Sequence, residues 1–180
     1  MSVAQAVSYS DGQSRLVDVA TFDRATRSEA IELVRPCCAS RRWVSELTVG
    51  RPYRSLRPLM SASDDIIGDL RWSDIAEALA AYSRIGDRAL GQGRESPWSR
   101  QERSATTGVK ASVAEQLRAG KAAYEQRFGH VFLACATGRS AEQILSALQQ
   151  RITNPTVFER EVVRAELSSI VRHRLIKTFR

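Results

Sequence analysis

From residue 21 onward, apolar positions recur at spacings of three and four, the period of helices with one buried face. Residues 1–18 are polar and lack that period, so they read as a loose N-terminal tail ahead of a helical domain over 19–180. Thr26-Arg27-Ser28-Glu29 has capping-box spacing and opens a stripe of Ile31, Val34 and the following cysteines, until Pro36 disturbs the helix. Short helices are predicted over 42–49, stopped by Gly50 and Pro52, and over 63–70. Ser73 is the expected cap of the next, with Ile75, Leu79 and Tyr82 on its buried face. Residues 86–98, with three glycines and a proline, predict a loop. Helices resume near Ser99, and a long one over 113–127 ends at Gly129. The apolar run 131–136 has strand character but no partner strand. Ser140-Ala141-Glu142-Gln143 forms a second capping box ahead of Ile144, Leu145, Leu148 and Ile152. Asn154-Pro155 reads as an N-cap with proline at the first helical position. The last helix is expected to bury Phe158, Val162, Ala165, Leu167, Ile170, Val171 and Leu175. The predicted fold class is all-α, a single irregular helical bundle.

Composition sharpens this picture. Hydrophobic residues make up 43% and charged residues 26% of the 180, ordinary for a packed domain. The formal net charge is +7, and 24 of the 27 cations are arginine. They are spread along the whole chain without a block of like charge, which weighs against a nucleic-acid partner. No apolar run approaches membrane-spanning length and residues 1–20 lack a secretory pattern, so a cytoplasmic protein without membrane attachment is expected. Three cysteines and two histidines without a CxxC pair supply neither a disulfide framework nor a metal set. Gly86, Gly91 and Gly93 are followed by no Lys-Ser/Thr and form no phosphate loop. Cys37, Cys38 and Cys135 read as small buried hydrophobes, Trp43 and Trp98 as packing anchors, His130 as structural and His173 as solvent-facing.

The order of short motifs carries more. Residues 22–33, then Cys38-Ala39-Ser40-Arg41-Arg42-Trp43, Arg51-Pro52-Tyr53, and residues 77–86 ending in Arg84-Ile85-Gly86 are followed by Trp98-Ser99-Arg100-Gln101-Glu102. Residues 124–127 with Phe128-Gly129-His130, then Thr137-Gly138-Arg139-Ser140, and a final helix ending Arg174-Leu175 complete the series. Over residues 21–179 this series resembles the 2-oxo-4-hydroxy-4-carboxy-5-ureidoimidazoline (OHCU) decarboxylases. The resemblance implies an all-α, cofactor-free enzyme, a homodimer, acting on a small anionic heterocycle with carboxylate and ureido groups.

In that family a His-Pro pair precedes the Arg-Ile-Gly, and the histidine is the proposed proton donor and acceptor. Here Tyr82 and Ser83 stand at those positions. The family's Ser-x-x-Glu-Gln appears as Ser99, Glu102 and Arg103, so a cation replaces the glutamine. The resemblance further implies substrate contacts from Phe132 and Ala134, through the backbone around them, and from Arg174. The leading expectation is therefore a diverged decarboxylase-like lyase in which Tyr82 and Glu102 are catalytic. Ser83, Ser99, Arg103, Phe132, Ala134 and Arg174 are its expected substrate contacts, with no metal or cofactor. The alternatives are an authentic OHCU decarboxylase that tolerates tyrosine, and a non-catalytic ligand-binding protein on the same fold. Beside these readings stand plainer ones: Ser99 to Glu102 has capping-box spacing, Tyr82 fits an apolar face, and Arg174 suits a helix C-terminus.

Overall fold

The computed structural model describes the backbone of residues 16–91 and 107–180, and the side chains of 16–81 and 112–180. Among the described residues the secondary structure is helical, in eight elements: α1 (Val19–Arg24), α2 (Arg27–Val34), α3 (Arg41–Val49), α4 (Leu56–Asp69), α5 (Trp72–Gly91), α6 (Thr107–Phe128), α7 (Ala141–Arg151) and α8 (Thr156–Thr178). The all-α expectation holds. Both predicted capping boxes form: Thr26 with Glu29 opens α2, and Ser140 with Gln143 opens α7. The bond from Thr26 holds the Glu29 carboxyl below its ordinary range.

Several boundaries differ from the sequence expectation, each for a local reason. Helix α4 begins at Leu56 rather than near Ser63, because Pro58 falls in the first turn, where a missing N–H breaks no helical bond. Ser73 lies inside α5 and does not cap it; Asp74 binds back to the Arg71 amide at 3.0 Å instead. The same helix runs through Gly86 to Gly91, so the predicted loop does not begin at 86. A single interior glycine costs a helix only about 1 kcal/mol. Residues 92–106, with the rest of that loop and Trp98, lie outside the described residues. At the start of α8 the N-cap is Pro155, and Asn154 turns its amide onto Glu159 at 2.7 Å.

The long helix α8 is the axis of the core. Its buried positions are Glu159, Val163, Leu167, Val171 and Leu175, a strict four-residue repeat. Phe158 is 59% exposed and Ala165 is exposed, so the first half of the predicted stripe was one position off. Against α8 pack α4 and the inward faces of α1 to α3 and α5, through Phe22, Val34, Leu47, Leu59, Ile67, Ile75 and Leu79. Trp43 is fully buried and donates its indole N–H to Ser63 Oγ at 3.1 Å, which joins α3 to α4. Val17 lies at the end of the segment read as a tail, yet it is bound to the C-terminus: its amide donates to Thr178 O at 2.7 Å. A second cluster joins α6 to α7 around Tyr124, Leu145 and Leu148. There the helices approach so closely that a Cβ on Gly120 would lie 2.6 Å from Leu148 Cδ2. The α6 helix ends at Gly129, whose φ of +75° reverses the chain in the left-handed region.

The preference for arginine over lysine has a structural counterpart in these helix ends. The last carbonyls of a helix have no partner within it. Arg51 supplies Phe22 O and Ala25 O, at 2.7 and 2.8 Å, and Thr48 O at 2.8 Å. Arg164 Nη1 lies within 3.0 Å of the carbonyls of Ile67, Gly68 and Leu70. Arg42 reaches Asp69 O at 3.1 Å, and Arg127 reaches Asn154 O at 3.0 Å. A forked guanidinium satisfies two or three carbonyls in a fixed plane, which a single ammonium does not.

Candidate functional site

Between the end of α6 and the cap of α7, residues 131–136 form a non-helical segment laid along α8. No partner strand joins it among the described residues. Side chains hold its backbone instead. Arg151 Nη1 donates to Leu133 O at 2.8 Å, and the Cys135 amide donates to Glu166 Oε2 at 2.7 Å. Leu133 and Cys135 are buried, Phe132 and Ala134 half-buried. The Phe132 ring packs on Tyr124 and under the Arg151 guanidinium, 4.6 Å from its centroid. His130 is wedged among Trp72, Tyr124 and Phe128, with Nδ1 3.1 Å from Val131 O, as its structural reading anticipates.

Beneath this segment lies a buried ionic cluster. Glu159 is fully buried and receives Arg151 Nε and Nη2 at 2.9 and 2.7 Å on Oε1, the Tyr124 hydroxyl on the same oxygen, and Asn154 on Oε2. A carboxylate removed from water needs this many donors. Burial, and then the adjacent Glu159 charge, push the Tyr124 phenol well above the ordinary tyrosine range. Because the folded state holds this proton more tightly than the unfolded chain, its contribution is complete below the ordinary phenol value of about 10 and is lost as pH rises beyond it. In an absorbance titration Tyr124 is therefore expected to ionise only as the protein unfolds in alkali, beside Tyr53, whose phenol burial also pushes up. In Tyr124→Phe the late step should shrink by one tyrosine; an unchanged amplitude would refute the assignment.

Arg174 lies half-buried on α8, eight residues beyond Glu166. Its Nη1 donates to Pro36 O and Cys37 O, at 3.3 and 3.2 Å, in the turn after α2. It also acts electrostatically on the Cys38 thiol. Burial pushes that thiol up to about 11, with Arg174 opposing the shift and Glu77 of α5 adding to it. Glu77 in turn binds the backbone amide and guanidinium of Arg41. The turn at 36–38 is thus held to α8 by Arg174, while Glu77 ties α5 to the start of α3. On the other side, Cys135 Sγ lies 3.8 Å from Nδ1 of His173, the neighbour of Arg174. His173 is exposed, as expected, and its Nδ1 is 2.7 Å from Ser169 O. The three cysteines are buried, in line with their reading as small hydrophobes.

Of the eight candidate site residues, Phe132, Ala134 and Arg174 are described: Arg174 on α8, and Phe132 and Ala134 in the segment that Cys135 ties to α8, with the Phe132 ring turned toward α6 and α7. Tyr82 and Ser83 belong to α5 by their backbone, and their side chains lie outside the described residues. Ser99, Glu102 and Arg103 lie outside them altogether. Sequence reasoning missed Arg151, Glu159 and Glu166. The available signal was the four-residue repeat of α8, which places Glu159 in line with Val163 and Leu167. Two clefts open elsewhere, of about 380 Å³ beside Asp23, Thr48 and Arg51, and of about 430 Å³ beside Met60, Asp64 and Arg172. Neither includes a candidate residue. Arg51 is committed there to three carbonyls and Arg172 to Asp64.

The family model for OHCU decarboxylase matches residues 23–176. The chain belongs to the OHCU decarboxylase family. Among similar proteins is the uric acid degradation bifunctional protein TTL of Arabidopsis thaliana, 26% identical over 147 residues, which are 79% of this chain and 45% of that protein. This chain therefore spans less than half the length of that relative. The 2-oxo-4-hydroxy-4-carboxy-5-ureidoimidazoline decarboxylase of Amia calva is 27% identical over 128 residues, 70% of this chain and 73% of that one. An OHCU decarboxylase crystallised in the presence of (S)-allantoin superposes with a TM-score of 0.63 at 26% identity, covering 79% of this chain and 94% of its own. The fold alone is shared with an (S)-allantoin synthase, at a TM-score of 0.64 and 15% identity over 90% of this chain and 54% of that one. No helix among the described residues is long and apolar enough to cross a membrane.

Proposed function

We propose that this chain is a cofactor-independent decarboxylase diverged from the ordinary OHCU decarboxylase pocket. Its substrate is a small carboxylated or ureido-bearing heterocycle, with tyrosine in the role of the family's histidine. The carrying observation is the family match over residues 23–176, in which Tyr82 and Ser83 stand where the resemblance places the His-Pro pair. Arg174, with Arg103, offers a guanidinium to the substrate carboxylate. The backbone of 132–134 meets the ureido face, and Ser83 and Ser99 add hydroxyls. As CO₂ leaves, the bonding electrons remain on the ring carbon as carbanion or enolate character. Tyr82 donates a proton or hydrogen bond to that charge, and Glu102 orients the reacting groups. Tyrosine is a ready donor and a poor base near neutrality, so the step that suits it is protonation after carbon dioxide loss. The names of the relatives favour a second reading, in which OHCU itself is the substrate. The homodimeric state is carried by the family resemblance alone, and localisation in the cytoplasm by the sequence expectation alone.

The carboxylate role of Arg174 is tested by binding a stable carboxylated ureide, allantoate, against allantoin, which lacks the carboxylate. In Arg174→Ala the affinity for allantoate should fall by roughly 10–100-fold, the worth of a charge-assisted pair, with allantoin unchanged. An equal loss for both ligands, or none for either, contradicts the assignment.

A further inference from the structure

Glu166 stands where the 131–136 segment meets α8. Its Oε2 accepts from the Cys135 amide at 2.7 Å, and its Oε1 accepts from Arg139 Nη1 at 2.9 Å. Oε1 also lies 3.9 Å from Arg151 Nη1, the nitrogen that holds Leu133 O. The carboxylate side chain is 13% exposed. One group therefore joins the backbone of the segment to two arginines that follow it in sequence, Arg139 and Arg151. Arg174 lies on the same helix, eight residues and about 12 Å of helix rise away. A helix is stiff over that length, so whatever fixes the segment against Glu166 also fixes it against Arg174.

We propose that Glu166 is a positioning residue of this enzyme. It sets the height of the 132–134 backbone relative to Arg174, so that the segment reaches one end of the substrate while the guanidinium holds the other. The inference rests on the substrate site proposed above. Glu166 itself touches no substrate in this account and acts through the Cys135 amide. Once Glu166 is gone, Arg151 on Leu133 O remains as a side-chain hydrogen bond to the backbone of the segment, and the Cys135 amide loses its acceptor. Misplacement of about 1 Å is enough to cost a bound complex one to two orders of magnitude.

The test uses the full chain as wild type, Glu166→Ala and Glu166→Gln. Steady-state turnover of freshly generated OHCU is measured, together with hydrogen exchange at the Cys135 amide. In Glu166→Ala the amide should exchange at least about tenfold faster and KM should rise about tenfold, with kcat changed by less than about threefold, the pattern of lost binding rather than lost chemistry. Glu166→Gln keeps an acceptor for the amide and should recover most of the KM. Should the alanine variant fail to fold, the glutamine variant carries the test, with KM raised about two- to fivefold. An active wild type whose Glu166 variants keep its KM overturns the positioning role alone. A wild type with no turnover above the spontaneous background removes the reading with OHCU as substrate; an exchange rate of the Cys135 amide unchanged in both variants would then still overturn the positioning role.

Discussion

Glu159→Ala is expected to destabilise the protein by about 3–5 kcal/mol, and to lower its melting temperature by roughly 6–20 °C. The magnitude follows from what remains after the carboxylate is removed. Arg151, with a side chain only 8% exposed, keeps its charge and loses both bonds to Glu159. The Tyr124 hydroxyl and the Asn154 amide lose their acceptors at the same time. A buried unpaired charge costs far more than the pair contributed. For the same reason, Glu159→Leu combined with Arg151→Met should be milder than either change alone, since it removes both charges. Urea denaturation of the three variants checks this. A double variant less stable than both single ones would show that the pair stabilises the fold beyond satisfying itself.

Tyr82→Phe should lower kcat by about 10²–10⁴, the usual contribution of a positioned proton donor, with KM little changed. The substitution removes one oxygen and keeps the ring, so stability should be nearly untouched. The wild-type rate should also be flat from pH 6 to 8, since a tyrosine ionises near 10, whereas Tyr82→His should introduce a break near 6.5. Rates measured across that range distinguish a donor that keeps its proton from one that exchanges it.

The fold was legible in the sequence where local chemistry decides it. Thr26 with Glu29 and Ser140 with Gln143 are complete capping signals, and both helices start where those residues require. The pattern failed where a charged residue takes a core position. Glu159 looks like surface by its side chain, and its burial is set by Arg151, eight residues earlier and on another helix. Pairing across elements leaves no periodic trace. The candidate site was legible through motif order rather than through periodicity. Residues 132 and 134 lie in a run with strand character but no partner strand among the described residues, and its support comes from Arg151 and from Glu166, about thirty residues later. The arginine excess read as a diffuse surface charge, because the carbonyls that Arg51, Arg164 and Arg174 serve become neighbours only in the folded chain.

The central claim is that a tyrosine has taken over the histidine's place in an OHCU decarboxylase pocket. Freshly generated OHCU, supplied to wild type, Tyr82→Phe and Tyr82→His at neutral pH, tests it most directly, with circular dichroism following the appearance of optically active allantoin. The predicted order places Tyr82→Phe near the spontaneous background, wild type about 10²-fold or more above it, and Tyr82→His faster than wild type by about tenfold or more. Three indistinguishable rates would contradict the claim.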